Sequence, residues 1–432
     1  MTDVAIIGAG VIGCSIALEL ARRDVSTTVI DRHGAVGHGS TSASCGIVRR
    51  YYSTPTMTAM AQEGALVWAD WQSYLGTDDA SELARFERPG MLFIPPKIDE
   101  SVQRTLAHMR ELGVDAELLS PEEVARRFPF LETASQSPIR SPHDDDFFRA
   151  TGRSIEGAVF EADAGYVVSP LLATQNLHAA AQVAGVGFRL GCGVVRVQVE
   201  AGNRFQLELS DGTALDAAVL VNVAGPHSGV VNRMVGVSLP IETRPLRREV
   251  AAIRNPRFTE PGEPPVPVVG DVDSGVYWRP ESGGRDLLVG SLDPQCDVLE
   301  WVADPDDWNT NCTEAGYERQ VMRTMKRFPE VDLDKRRGIA GLYDVTLCDW
   351  HPVLDRTDLP GYYVAMGTSG SSFKTAPVIG AVMAELIAAC EAGHDHDAVP
   401  VRIQLPRTGF EVDVGFFSRL REGRMSSGTV LG

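Results

Sequence analysis

Three glycines near the start of the chain, Gly8, Gly10 and Gly13, follow the spacing G-x-G-x-x-G. In that spacing the first glycine makes a tight turn, the second lets the backbone approach a pyrophosphate, and the third allows a helix to pack closely on a strand. Asp31 lies eighteen residues after Gly13, where a carboxylate can accept hydrogen bonds from both hydroxyls of a ribose. These residues predict a binding site for FAD or NAD, and the acid disfavours the 2′-phosphate of NADP.

The residues around these glycines predict the elements that must hold them. Residues 4–8 are wholly apolar and end in glycine, as is typical of a buried parallel strand. Ile12, Ile16 and Leu20 recur every four residues and therefore share one face of a helix. Residues 27–30 predict a second strand. The chain thus begins with a predicted strand, helix and strand.

Two further segments predict helices with a defined start. Residues 55–75 place apolar side chains along one face of a long helix. Ser120 is followed by Pro121, which is typical of a capped helix with proline at its first position.

The composition is that of a globular protein with an acidic surface. The chain has 432 residues, of which 44% are hydrophobic, and a formal net charge of -18 at pH 7. Its length predicts two or three packing units, and its charge argues against a nucleic-acid partner, which needs a basic face. We find neither an apolar run of membrane-spanning length nor a start of the kind that directs secretion. The sequence therefore predicts a cytoplasmic protein without a membrane span.

The cysteines and histidines predict no metal site. The seven cysteines are odd in number and form no CxxC pair, so reduced thiols are expected. His394 and His396 lie in a polar stretch after a predicted helix, which is typical of a solvated turn.

The order of these patterns predicts a nucleotide-binding domain assembled from three pieces of the chain. Strand patterns before residue 225 and a helix from about residue 377 return to the architecture of the start. Two intervening segments, the later one rich in strands and punctuated by prolines, predict a second domain. The predicted division is a nucleotide-binding domain of residues 1–82, 149–225 and 334–400, a second domain of residues 83–148 and 226–333, and a C-terminal tail of residues 401–432 without a motif.

Three segments resemble the D-amino-acid-oxidase-like superfamily of FAD-dependent oxidoreductases, and within it the sarcosine oxidase and dimethylglycine dehydrogenase branch. GSTSASCGIVRRYY at residues 39–52 resembles the flavin loop of that family. VLVNVAGP at residues 219–226 and YVAMGTSGSSFKTAP at residues 363–377 resemble its later motifs near FAD. The resemblance implies an α/β fold, with a Rossmann-like FAD-binding domain of the hydroxybenzoate-hydroxylase type and an antiparallel-sheet substrate domain of α+β type.

The resemblance also implies a set of FAD-binding residues. Val195 would contact the adenine. Gly370 and Ser371 would direct backbone donors to the flavin edge where negative charge develops on reduction, and such donors stabilise that charge. The implied set is Gly8, Gly10, Gly13, Asp31, Arg32, Gly39, Ser40, Thr41, Cys45, Gly46, Val195, Gly225, Gly341, Gly370, Ser371, Ser372 and Lys374.

Four residues are implied at the substrate site in the same way. Arg49 matches an arginine that binds the substrate carboxylate, and Lys374 matches a lysine that joins it. Tyr343 matches a tyrosine beside the substrate, and Tyr277 lies on the strand expected to cover the flavin. An arginine and a lysine in a dry pocket bind a carboxylate strongly. Fixing that end places the α-C–H bond against flavin N5 for hydride transfer.

The sequence departs from the resembled branch at four positions. Gly341 and Ala43 stand where relatives attach the flavin through cysteine or histidine, so non-covalent FAD is expected. Leu288 and Leu292 stand where sarcosine oxidases carry a lysine that promotes reaction with oxygen and a histidine. The electron acceptor is therefore either O2 or a quinone or electron-acceptor protein, and the oligomeric state, including a homo- or hetero-oligomer, stays open.

The leading functional prediction is oxidation of the C–N bond of a small amino acid or N-methyl amino acid. A first alternative is a 2-hydroxy-acid dehydrogenase, for which His351 would be the candidate base. A second alternative is a flavin-binding assembly factor or subunit without its own turnover. The predicted carboxylate-binding residues favour the leading prediction, because a scaffold has no need of them.

Overall fold

Two large β-sheets organise the chain in a computed structural model, which describes residues 2–79, 82–258, 265–424 and 426. Among these residues the strands are β1 (Thr2–Ile7), β2 (Thr27–Asp31), β3 (Ile47–Val48), β4 (Phe86–Glu87), β5 (Met91–Ile94), β6 (Ala116–Leu119), β7 (Ala158–Glu161), β8 (Gly165–Val167), β9 (Gly187–Leu190), β10 (Val194–Glu200), β11 (Arg204–Leu209), β12 (Ala214–Asn222), β13 (Thr243–Arg254), β14 (Val268–Asp271), β15 (Val276–Glu281), β16 (Asp286–Ser291), β17 (Glu300–Trp301), β18 (Gly338–Thr346), β19 (Val353–Arg356), β20 (Tyr362–Met366), β21 (Arg402–Gln404) and β22 (Glu411–Asp413). The α-helices are α1 (Val11–Ala21), α2 (Pro55–Ala69), α3 (Trp71–Leu75), α4 (Glu100–Glu111), α5 (Pro121–Arg127), α6 (Pro170–Val183), α7 (Ser228–Val235), α8 (Glu314–Arg327) and α9 (Ala376–Glu391).

The first sheet has eight strands and a parallel centre. Its order is β10-β11-β12-β1-β2-β9, and β20 pairs with both β12 and β19. β1 is parallel to β2 and β12, so that Ile6 lies between Val29 and Val221, all three fully buried. Helix α1 packs against α6 and α9. The predicted start of strand, helix and strand is confirmed by β1, α1 and β2.

The second sheet has nine strands and is largely antiparallel. Its order is β17-β13-β16-β15-β14-β5-β7-β6, with β18 paired to β13, and only the β14–β5 pair among these is parallel. Helix α8 packs on β13, β15 and β16, over a core that contains Trp278 and Phe328. The architecture confirms the predicted fold class. Strands β7 and β18 also pair within this second sheet. Both lie in segments that the sequence predicts for the nucleotide-binding domain.

The local helix signals agree with the structure in one case and differ in another. Ser120 caps the start of α5 and Pro121 is its first residue, as the sequence predicts, and Glu123 completes a reciprocal capping box. The single helix predicted over residues 55–75 is two helices, because Asp70 leaves the helical conformation with φ -118° and ψ 43°. Across this bend Trp68 and Trp71 stack with ring centroids 4.3 Å apart.

The tail, which contains no recognisable motif, packs on the eight-stranded sheet. It forms the β21–β22 hairpin and continues to two buried arginines, Arg419 and Arg421. Among the described residues, none of the helices has both the length and the apolar character that crossing a membrane requires.

Candidate active site

A cavity of about 830 Å³ is lined by residues of both large sheets. One end is formed by the loops that follow β1, β2 and β12, where the carboxyl ends of parallel strands create a crevice. The other end is roofed by β15 and β18 of the second sheet. Of the residues implied by the resemblance, those in the lining are Gly8, Gly10, Gly13, Asp31, Arg32, Gly39, Ser40, Thr41, Cys45, Gly46, Arg49, Gly225, Tyr277, Gly341, Tyr343, Gly370, Ser372 and Lys374.

The glycine turn has the close approaches that its spacing predicts. A side chain at Gly8 would meet the Val223 carbonyl oxygen at 2.4 Å, and one at Gly13 would meet the Gly8 carbonyl oxygen at 2.0 Å. Gly8 also has φ +118°, which disfavours other residues. The backbone here therefore lies open to the cavity at the start of α1, as a pyrophosphate site needs.

The carboxylate of Asp31 is fixed at the end of β2. Its two oxygens accept hydrogen bonds from the backbone N–H groups of Ala9 at 2.7 Å and His33 at 2.8 Å. Thr41 reaches the same turn, because its hydroxyl accepts from the Val11 N–H at 3.2 Å. The flavin loop and the glycine turn are thus joined by a direct hydrogen bond.

Two of the implied cofactor residues lie outside the cavity lining. The side chain of Val195 is 56% exposed, and its neighbour Val194 lines the cavity instead. The ladder between β10 and β11 shifts register between Val194 and Arg196, and such a bulge changes which side chain faces inward. Ser371 is buried, and its carbonyl oxygen accepts from Lys374 Nζ at 2.6 Å.

Two buried cations lie side by side in the cavity lining. Arg49 is 4% exposed and Lys374 is 5% exposed. Lys374 Nζ donates to the Tyr52 hydroxyl at 2.8 Å, and the Arg49 guanidinium carbon lies 4.2 Å from the centroid of the Tyr52 ring. Arg49 also donates to the Tyr51 carbonyl. Among the described residues, no carboxylate lies within ion-pair distance of Lys374.

The adjacent arginines, Arg49 and Arg50, have different surroundings. Arg50 Nε lies 2.5 Å from the Glu161 carboxylate, which also accepts from the Arg50 backbone N–H, and its guanidinium donates to the Asp163 carbonyl at 3.0 Å. Arg50 therefore joins the flavin loop to β7. Arg49 is the one of the two that lines the cavity.

Charge and burial shift the pKa values of the groups around Tyr52. Burial lowers the pKa of Lys374, and the hydroxyl of Tyr52 partly opposes this shift. For Tyr52, burial alone would raise the pKa, but Lys374 and Arg49 outweigh it and lower the pKa. An anion at this point, such as a substrate carboxylate, would be stabilised by the same two cations.

The backbone of Lys374 is held by helix α2. The indole N–H of Trp68 donates to the Lys374 carbonyl at 2.9 Å. A side chain at Gly64 would meet that same carbonyl oxygen at 2.2 Å, so α2 can approach the loop only through a glycine. Helix α9 then begins at Ala376, one residue before the predicted start.

Two neighbouring tyrosines, Tyr277 of β15 and Tyr343 of β18, line the cavity. The Tyr277 hydroxyl lies 3.5 Å from the Cys45 sulfur, and a side chain at Gly370 would meet the ring of Tyr343 at 2.3 Å. Burial raises the pKa of Tyr277 and raises that of Tyr343 to about 12. Both hydroxyls are therefore neutral near pH 7 and can donate or accept hydrogen bonds.

The two positions at which relatives would attach a flavin come together in the fold. A side chain at Gly341 would meet the Cβ atom of Ala43 at 2.7 Å. Neither residue offers a sulfur or ring nitrogen at this wall.

Tyr52 and Asp344 are site residues that the sequence reasoning missed. Tyr52 ends the flavin-loop motif, and its position three residues after Arg49 is the sequence signal that could have identified it as a site residue. Asp344 lines the cavity, and its carboxylate accepts from the Gly367 N–H at 2.6 Å. Burial raises the pKa of Asp344 to about 7. An acid within a strand carried no comparable signal in the sequence.

His351, the candidate base of the hydroxy-acid alternative, lies outside the cavity lining. Its ring is 1% exposed and its centroid lies 5.3 Å from that of Phe416 in the tail. Burial lowers its pKa to about 4. The described histidines that do line the cavity, His33, His38 and His227, lie at the glycine-turn end.

The fold and the glycine turn define a dinucleotide-binding protein, and comparison with known proteins gives the family. Residues 3–386 match the family described as "DAO: FAD dependent oxidoreductase", and the chain belongs to it. The residues present fit FAD, since one cavity extends from the open backbone of the glycine turn to the flavin loop.

Individual relatives are similar over most of the chain. The chain is 26% identical over 414 residues to FAD-dependent oxidoreductase domain-containing protein 1 of Bos taurus, covering 89% of this chain and 81% of that protein. It is 24% identical over 394 residues to sarcosine oxidase subunit beta of Rhodobacter capsulatus, covering 89% and 84%. The solved L-proline dehydrogenase from P. horikoshii has the same fold, with a TM-score of 0.74, 20% identity, and 97% and 96% coverage.

Proposed function

We propose that the protein oxidises the C–N bond of a small amino acid or N-methyl amino acid. The observation that carries the proposal is the pair of buried cations, Arg49 and Lys374, in the lining of the cavity that also contains the FAD-binding turn. Two such cations bind a carboxylate strongly where water is excluded. The names of two relatives, sarcosine oxidase subunit beta and L-proline dehydrogenase, refer to small amino acids and support this substrate class.

In this proposal the residues of the chain orient the substrate. Arg49 and Lys374 hold its carboxylate, and this fixed end limits the positions of the α-carbon. The chemistry that bound FAD supplies is acceptance of a hydride from that carbon. Ile47, Met91 and Leu292 also line the cavity, and these apolar side chains suit a small apolar substituent. A substrate amine that binds in its neutral form needs no strong base.

We also propose that FAD is held without a covalent bond. The identities of Gly341 and Ala43 support this, because neither residue has a side chain that can form one. The electrons then pass to O2, to a quinone or to an electron-acceptor protein. The relative named as a subunit is compatible with a hetero-oligomer.

The position of His351 favours amine oxidation over oxidation of a 2-hydroxy acid. Removal of a hydroxyl proton is usually assisted by a base at the reacting carbon. His351 packs under the tail instead of lining the cavity. The amine reaction therefore remains the one that the cavity supports best.

The absorbance of the bound flavin during anaerobic titration tests the proposed function. Solutions of an N-methyl amino acid, a primary amino acid and a 2-hydroxy acid are added in turn to the purified holoenzyme. We expect the band at roughly 450 nm to disappear with an amino acid and to persist with the hydroxy acid. Reduction by the hydroxy acid alone would overturn the proposal, and a flavin that no compound reduces would favour an assembly factor.

A further inference from the structure

The connection between β17 and α8 reaches across to the FAD end of the cavity. We call residues 302–313 the strap. Pro305, Asp306, Trp308 and Thr310 of the strap line the same cavity as the glycine turn. The strap follows a strand of the nine-stranded sheet, whereas the turn belongs to the eight-stranded sheet. It therefore supplies a wall of the FAD site that none of the family motifs contains.

One carboxylate fastens the strap to the opposite sheet. Asp306 Oδ1 lies 2.5 Å from Arg32 Nη1 and 3.0 Å from His227 Nε2. Arg32 directly follows β2, and His227 lies in the turn after β12. Burial alone would raise the pKa of Asp306, but Arg32 and His227 outweigh it and lower the pKa. Asp306 is thus ionised at neutral pH and is held from two sides.

The base of the strap is anchored more firmly than its tip. The guanidinium of Arg247, on β13, donates to the carbonyls of Asn309 at 2.6 Å and Asn311 at 2.5 Å. It also pairs with Glu249 and Glu300, each at 2.7 Å, and its side chain is 2% exposed. The side chains of the Arg32–Asp306 pair are instead about half exposed. The strap is therefore held least firmly at Asp306.

We propose that the strap is part of the FAD-binding site and that the contacts of Asp306 with Arg32 and His227 set the rate at which FAD leaves. With these contacts made, the strap closes the glycine-turn end of the cavity. When they break, the tip can swing away while Arg247 still holds the base. The proposal concerns the cofactor alone and stands whether or not the substrate is an amine.

The rate of FAD release tests this proposal. Holoenzyme is diluted, and released FAD is followed by its fluorescence in the presence of an excess of a scavenging apoflavoprotein. We expect Asp306→Asn to release FAD about fivefold faster, because exposed charge-assisted contacts of this kind contribute up to about 1 kcal/mol each. The matched control is Asp307→Asn in the same strap, whose exposed carboxylate forms no ion pair among the described residues and which should behave as wild type.

Salt provides a second measurement that needs no variant. High ionic strength screens exposed ion pairs, so sodium chloride should accelerate release from the wild type but not from Asp306→Asn. Three results would each overturn the proposal. The first is the same release rate in Asp306→Asn and wild type, and the second is release from Asp307→Asn that is as fast as from Asp306→Asn. The third is a wild-type release rate that salt leaves unchanged.

Discussion

At the scale of single residues, Tyr52 explains how two buried cations share one wall of the cavity. Like charges disfavour each other when both are desolvated. The Tyr52 hydroxyl accepts a hydrogen bond from Lys374, and its ring faces the guanidinium of Arg49. Both contacts stabilise the charged forms. Tyr52 is therefore a positioning residue, which acts on the substrate through Lys374.

The substitution Tyr52→Phe should change how activity depends on pH. Burial lowers the pKa of Lys374, and the Tyr52 hydroxyl opposes that shift. As pH rises through this pKa, Lys374 loses its charge and kcat/KM for a carboxylate substrate falls. Removing the hydroxyl lowers the pKa further, so the alkaline limb of the kcat/KM profile should move to lower pH.

The control for this profile is Tyr317→Phe, which removes a tyrosine hydroxyl from α8, outside the cavity lining. Its profile should match that of the wild type. An alkaline limb that stays in place in Tyr52→Phe would show that Tyr52 does not act on Lys374.

At the scale of elements, the packing of α2 against the loop before α9 determines where Lys374 lies. The helix and the loop backbone cross so closely that a Cβ atom on the helix would lie 2.2 Å from the Lys374 carbonyl oxygen. The residue at the crossing must therefore lack a side chain, and it is Gly64. The indole of Trp68, one turn further along α2, then donates to the same carbonyl. The site thus depends on a fit between two elements that are far apart in sequence.

The substitution Gly64→Ala should destabilise the protein and weaken FAD binding. A Cβ atom 2.2 Å from the Lys374 carbonyl oxygen forces the loop to move, and overpacking of this kind costs about 1–3 kcal/mol. Urea denaturation and FAD titration would measure the two effects. Gly229→Ala on α7 is the control, since its Cβ would meet only the end of the Arg233 side chain at 3.7 Å. Equal stability of Gly64→Ala and wild type would refute this account of the crossing.

The elements also show how much of the site could be predicted from the sequence. The glycine turn and the flavin loop could be predicted, because each lies within a short segment with its own spacing. The roles of Tyr52, Gly64 and the strap could not, because each depends on at least one contact with a residue more than 250 positions away in the chain. The resemblance implies Val195 at the adenine, whereas the register shift in its strand places Val194 in the cavity lining.

At the scale of the whole molecule, the tail is tied to the eight-stranded sheet by buried charges. Arg421 donates to both oxygens of Asp349, and its side chain is 2% exposed. Arg419 pairs with the buried Asp355, with both oxygens of Asp397 and with the exposed Asp358. The tail also covers His351 through Phe416. These contacts join the tail to β19 and to the segments just before and after it.

The substitution Arg421→Ala should lower the free energy of unfolding by about 3–5 kcal/mol, because it leaves Asp349 buried without its partner. Burial alone would raise the pKa of Asp349, but Arg421 outweighs it and lowers the pKa. The stabilisation is therefore complete at neutral pH and is lost as pH falls through that lowered pKa. Chemical denaturation at several pH values would measure it.

The control for the tail is Arg402→Ala, which removes an exposed pair with Glu411. Its effect should stay below about 1 kcal/mol at every pH. A loss of stability in Arg421→Ala no greater than in Arg402→Ala would show that the tail does not stabilise the fold through this pair.

The proposed function depends on Lys374 and Arg49 binding a substrate carboxylate next to FAD. The most direct measurement is anaerobic rapid mixing of the active amino acid with the wild type, Lys374→Met and the exposed-lysine control Lys97→Met. We predict that the dissociation constant of the amino acid rises about 10- to 100-fold in Lys374→Met, since hydrogen bonds to charged groups contribute roughly 1.5–3 kcal/mol. FAD should remain bound in Lys374→Met, and Lys97→Met should bind the amino acid with the wild-type dissociation constant. An unchanged dissociation constant in Lys374→Met would contradict the account.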